Sequence, residues 1–217
     1  MKTDVRKITA VAMLCAVTYV FMLVSKVIPA VEGFLQFDAK DVVITIGGFI
    51  YGPIYAVVIS VIVSFLEFIT VSHTGLIGLV MNIISTVAFS AVAAFAYHRK
   101  KTLSGAFISL VLGTLTLTAV MILWNYFITP LYMEVPREVI KAMLPTVFLP
   151  FNLVKGIINS GFILFMYRPI VLALQKAGLV EVKEGSKKKK ILSLTFAVGI
   201  VLVAVFIPVI LIMAGVL

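Results

Sequence analysis

The chain has little of what most enzyme chemistry requires. A single cysteine, Cys15, excludes an intramolecular disulfide and a cysteine-based metal site. The two histidines, His73 and His98, lie in or beside loops at opposite faces and cannot share a metal, and His73 reads as a solvated loop residue. No GxxxxGK(S/T) run is present, which removes the P-loop and with it any capacity to hydrolyse ATP. HExxH, GxSxG and paired aspartates within an apolar span are missing too, so catalysis has no visible home. Charge is scarce: 12% of residues are charged, where a soluble domain carries about 25%. What remains is apolar. Of 217 residues, 62% are hydrophobic and the mean hydropathy is +1.21, against about 45–50% apolar residues in a soluble domain. Such a chain places most of its surface in lipid, as an all-α integral membrane protein.

The net charge of +9 suggests nucleic acid only if it forms a stripe with interleaved aromatics on a polar fold, and it does not. The positive residues gather in short segments beside apolar runs: Lys2, Arg6 and Lys7; Arg99, Lys100 and Lys101; Lys187 to Lys190. That is the distribution of cytoplasmic loops under the positive-inside rule, with anionic headgroups as the partner.

A membrane span takes about 20 apolar residues. Spans are expected near 8–28, 75–97, 104–128, 147–168 and 191–216. The run 42–70 is long for one helix, and Gly52-Pro53 breaks it, so it reads as helices 42–51 and 54–70 joined by a tight turn. That makes seven spans in all. The first is too long for a cleaved signal peptide and lacks a small-residue cleavage site. With the N-terminus inside, Lys26, Lys40, Arg137 and Lys141 lie outside and the other loop cations inside. A single helix over 42–70 with the N-terminus outside gives nearly as good a bias, so the Gly-Pro break decides. Either count puts the loops after 70 and after 128 outside.

Within these spans sit Glu67, Asn82, Asn125, Asn152 and Lys155, all toward the outer side. Buried ionisable and amide groups are costly in hydrocarbon and commonly mark a substrate path. Each also has a plainer reading: Lys155 as a snorkelling side chain, each Asn as a bridge between helices. The external loop 29–41, PAVEGFLQFDAKD, adds Phe34, Phe37, Asp38, Lys40 and Asp41. It reads either as a lid over a flat ring or as an interfacial aromatic belt with a helix cap at Asp41. Ala12 and Ala16 in the first span, and Gly47-Gly48 in the second, permit close helix approach, although small residues recur by chance in so apolar a chain.

Several segments together resemble the substrate-binding S component of energy-coupling-factor vitamin transporters, within them the riboflavin-specific RibU type. They are VRKITAVAMLCA (5–16), FLQFDAKDVVITIGGFIYGP (34–53), MNIISTVAF (81–89), LWNYFITPLY (123–132) and PFNLVKGIINS (150–160). The likeness covers roughly residues 1–175. It implies a six-helix bundle in the bacterial cell membrane, not an enzyme and without a cofactor, that captures riboflavin at the external face. A transmembrane T component and two cytoplasmic ATPases would then drive its inward delivery, which fits the missing P-loop. By resemblance, Ala12 and Ala16 would contact the T component, and the 34–41 loop, Asn125, Asn152 and Lys155 would form the pocket. Glu67 and Asn82 join that pocket on the depth argument. An Asn amide suits the flavin imide edge, and aromatic side chains suit its ring. Another vitamin, FMN, or a self-sufficient secondary carrier remain as alternatives.

The pattern ends at six helices. Residues 1–180 are therefore expected to form the binding domain and 181–190, with its KKKK run, a basic cytoplasmic linker. Residues 191–217 would be an added transmembrane helix that places the C-terminus outside.

Overall fold

The structure, a computed structural model, describes residues 2–27, 30, 35–179, 204 and 208. The expected linker and added span at 181–217, and Phe34, lie outside the described residues but for those two isolated positions. Eight α-helices follow in order among the described residues: α1 (Lys2–Ser25), α2 (Lys40–Tyr51), α3 (Pro53–Thr70), α4 (Gly75–Arg99), α5 (Leu103–Phe127), α6 (Thr129–Met133), α7 (Arg137–Met143) and α8 (Leu149–Lys176). A π-helical turn, Leu144–Phe148, leads from α7 into α8.

The break at Gly52-Pro53 falls where the sequence places it. Gly52 has φ +116°, a conformation open to glycine and strained for other residues. Pro53 then opens α3 at its first position, where a missing N–H costs nothing. α2, expected over 42–51, is as short as the break implies and carries the chain between the two ends of the bundle. Its twelve residues reach about 18 Å, well short of the roughly 30 Å hydrocarbon core. Ten of them, from Lys40 to Phe49, are buried. α2 is thus a central strut rather than a lipid-facing helix. Among the described residues, five helical segments are long and apolar enough to cross a membrane: Val5–Ser25, α3, α4, α5 and Arg137–Lys176.

These segments wear their apolar residues outward. Val58, Val61, Ile62, Phe65 and Ile69 of α3 are exposed, while Ser60, Ser64 and Glu67 of the same helix are buried. Lipid rewards that arrangement, whereas water would reverse it. Small residues let the helices close. A Cβ on Gly48 would stand 2.8 Å from Ala94 Cβ and 3.0 Å from Ala56 Cβ, so α2, α3 and α4 meet at that glycine. A Cβ on Gly156 would stand 2.5 Å from Thr114 Cγ2, which brings α8 against α5.

Hydrogen bonds fix the relative directions. Tyr19 of α1 donates to Thr70 at the end of α3 (2.9 Å), and Asp41 at the start of α2 accepts from Thr86 of α4 (2.7 Å). One pole therefore collects the ends of α1, α3 and α5 and the starts of α2, α4 and α8. At the other pole, His98 Nε2 lies 3.2 Å from the Gly48 carbonyl, and the Tyr51 hydroxyl donates to the Leu179 carbonyl. The segment between α5 and α8, expected as a loop, is largely helical. It caps the first pole through Ile140 and Phe148, packed with Phe151 of α8 and with Leu35 and Phe37 of the α1–α2 connection.

Candidate functional site

The first pole holds an ion network within the bundle. Glu67, near the end of α3, is 2% exposed. Its Oε1 accepts from Lys26 Nζ and its Oε2 from Lys40 Nζ. Lys40 also pairs with Asp38 Oδ2 at 2.6 Å, and its backbone N–H donates to Asp38 Oδ1. Lys26 Nζ further donates to Gln36. Glu67 thus grips both ends of the α1–α2 connection. For Asp38, burial alone would raise the carboxyl pKa; the ammonium groups of Lys40 and Lys155 outweigh it and hold the carboxyl below its usual range.

A second network centres on Asp41, which has no exposed surface. Oδ1 accepts from Thr86 Oγ1 at 2.7 Å. Oδ2 accepts from Asn159 Nδ2 at 3.1 Å and lies 3.8 Å from Lys155 Nζ. The turn that carries Asp41 is anchored too: Thr45 Oγ1 donates to the Asp41 carbonyl at 2.6 Å and lies 2.8 Å from Ser90 Oγ.

Asn125 and Asn152 sit at the same pole, both buried. Asn125 donates to the Met121 carbonyl (2.7 Å) and accepts from Thr129 Oγ1 (2.8 Å). Asn152 donates to the Phe148 carbonyl (2.7 Å). Phe37 packs on Phe151 with ring centroids 4.8 Å apart, so the α1–α2 connection lies over the start of α8. A narrow cleft of about 10 Å³, room for a single water, opens beside Thr129, walled by Ile77, Met81, Trp124 and Tyr132. A larger groove on α3 and α4 is wholly apolar, lined by Val61, Phe65 and Leu79 among others, and suits lipid chains.

Of the residues singled out from sequence, Phe37, Asp38, Lys40, Asp41, Glu67, Asn125, Asn152 and Lys155 come together at this pole. Asn82 does not join them: it is partly exposed and makes no side-chain hydrogen bond among the described residues. Lys40 and Glu67 are spent on each other and on Lys26 and Asp38. Ala12 and Ala16 are exposed along one face of α1, with Ile8, Val20 and Val24 continuing the stripe. His73 is exposed. Among the described residues no group of three His, Cys, Asp or Glu side chains could hold a metal ion. Among the participants that escaped the sequence reading are Lys26, Thr86 and Asn159. Asn159 had a signal, lying four residues after Lys155 and hence on the same face of α8.

Known proteins share this architecture. The solved structure of an S component of a bacterial ECF transporter superposes with a TM-score of 0.67 at 24% identity, covering 79% of this chain and 98% of its own. The riboflavin transporter FmnP of Bacillus subtilis is 31% identical over 163 residues, which is 71% of this chain and 86% of the relative. The riboflavin transporter RibU of Staphylococcus aureus is 24% identical over 178 residues, covering 79% and 93%. The family model described as ECF transporter, substrate-specific component matches residues 6–171. Members of this family are transport components and not enzymes. With a lipid-facing helical bundle and a polar network gathered at one pole, the chain belongs to the ECF transporter substrate-specific component family.

Proposed function

We propose that this chain is a high-affinity riboflavin-binding S component. It captures the vitamin at the pole that holds Asp41, Asn125, Asn152 and Lys155, and that pole faces outward from the bacterial plasma membrane. The observation that carries the reading is the coincidence of two things. Relatives that align over most of their length are riboflavin transporters, and the same pole carries buried amide, ammonium and aromatic side chains. Isoalloxazine needs a flat apolar slot and hydrogen-bond partners for its imide edge. Phe37 and Phe151, packed on each other, offer one apolar wall of such a slot, and the second amide N–H of Asn125 or Asn152 offers the hydrogen bond. Phe37, Asp38, Lys40 and Glu67 act on this account through the α1–α2 connection, which closes over the ligand.

Delivery inward requires a T component and two ATPase subunits, because the chain has no P-loop of its own. The exposed Ala12–Ala16 face of α1 is the surface on which a T-component helix approaches closely. The N-terminus is cytoplasmic, by the basic residues Lys2, Arg6 and Lys7. On the same charge count the basic linker 181–190 is cytoplasmic, and a span at 191–216 leaves the C-terminus external.

Proteoliposome uptake of labelled riboflavin tests the assignment. The chain alone should accumulate none. Co-reconstitution with its T component and ATPases should give uptake that depends on ATP. Concentrative uptake by the chain alone would instead make it a secondary carrier.

A further inference from the structure

Lys155 is 8% exposed, yet its ammonium donates no hydrogen bond among the described residues. Its near anion, Asp41 Oδ2, stands 3.8 Å away, where a charge-assisted N–H···O bond closes to about 2.7–2.9 Å. Holding the ammonium of a largely buried lysine this far from its carboxylate is an expensive arrangement. It persists only if something prevents the carboxylate from swinging onto it.

Two residues do so. Thr86 of α4 holds Oδ1 and Asn159 of α8 holds Oδ2, so Asp41 is pinned from helices on two sides. Thr86 is 1% and Asn159 4% exposed, and both have small polar side chains committed to the same carboxylate.

We infer that Thr86 and Asn159 are positioning residues for ligand binding: they hold Asp41 just short of contact with Lys155, which leaves the Lys155 donors free for an uncharged oxygen acceptor of the ligand. Asp41 balances the Lys155 charge across the gap, so the acceptor need not be anionic. A hydroxyl or ring carbonyl fits, and on the riboflavin reading above, on which this inference rests, that is a ribityl hydroxyl or an imide carbonyl. Without Thr86 or Asn159 the carboxylate closes on Lys155 and the ligand must break that contact to bind.

Isosteric replacement separates this from a packing role. Thr86→Val keeps the shape and removes the donor, whereas Thr86→Ser keeps the donor and loses a methyl. The readout is riboflavin affinity by fluorescence quenching in detergent, with thermal unfolding to verify the fold of each variant. Thr86→Val and Asn159→Ala should each weaken binding about tenfold, the scale of a lost hydrogen bond to a charged group. Thr86→Ser should stay within about threefold of the unsubstituted protein on the same scale. In a Lys155→Met background, Thr86→Val and Asn159→Ala should cost little more, because the group they serve is gone. Equal losses for Thr86→Val and Thr86→Ser, wild-type affinity in Thr86→Val, or full additivity with Lys155→Met would each overturn the inference while leaving the riboflavin reading intact. An unsubstituted, folded protein that binds no flavin overturns both.

Discussion

Asn125 and Asn152 each spend one amide N–H on the carbonyl four residues earlier, a local bond that orients the side chain and keeps the second N–H in hand. If that second N–H meets the flavin imide edge, Asn125→Ala or Asn152→Ala should weaken riboflavin binding more than about tenfold, roughly 1.4 kcal/mol. Expression should be unchanged, because each removes a bond within its own helix or to its neighbour. Unaltered affinity in both variants would contradict the assignment. At this scale the sequence was legible wherever a side chain contradicts its surroundings. Glu67 within FLEFI and Lys155 within LVKGI stand out because hydrocarbon tolerates them only in a bundle interior. Thr86 and Asn159 did not stand out. A threonine in an apolar helix ordinarily bonds back to its own turn, as Thr114 and Thr118 do. That Thr86 instead reaches Asp41 on another helix is decided by packing. Lys26 hid for a similar reason: its place at the end of α1 suits a headgroup contact equally well, and only the return of α3 brings Glu67 to it.

At the scale of elements, α2 organises the bundle. It is short, buried nearly throughout, and contributes to two apolar clusters, through Ile46 and Phe49 on one side and Val43 and Ile44 on the other. Its approach to α3 and α4 depends on Gly48, whose missing Cβ makes room for Ala56 and Ala94. Gly48→Val should therefore force α2 away from α4 and cost about 1–3 kcal/mol, the usual scale of overpacking. Thermal unfolding of the detergent-solubilised protein reads this. Asp41 leads the same helix, so riboflavin affinity should fall with it, and a variant with unchanged unfolding temperature would deny α2 its role. The break ahead of α3 could be read from Gly52-Pro53, because both residues have strong backbone rules of their own. The interior position of α2 could not, because an apolar stretch of ten or so residues looks alike whether lipid or protein surrounds it. The helices between α5 and α8 were hidden by Pro130, Pro136 and Pro145, which read as loop but here open short helical turns.

Over the whole molecule, the arrangement separates two tasks. Apolar side chains coat the outside of α1, α3, α4 and α5 and hold the chain in lipid. Three lysines and three carboxylates converge at one pole: Lys26, Lys40 and Lys155 with Asp38, Asp41 and Glu67. Each ion has an opposite partner, so the pole is close to neutral despite the chain's overall charge of +9. A neutral, buried, hydrogen-bonding pole suits an uncharged vitamin better than its phosphate ester, whose charge would be buried without a counter-ion. On the reading proposed above, this pole binds riboflavin. The most direct test is a fluorescence titration of riboflavin with the purified protein in detergent, with FMN and thiamine alongside. Riboflavin fluorescence should be quenched saturably at sub-micromolar concentration and FMN fluorescence more weakly, with no competition by thiamine. A folded protein that quenches neither flavin would keep its place in the S-component family and contradict the substrate assigned to it here.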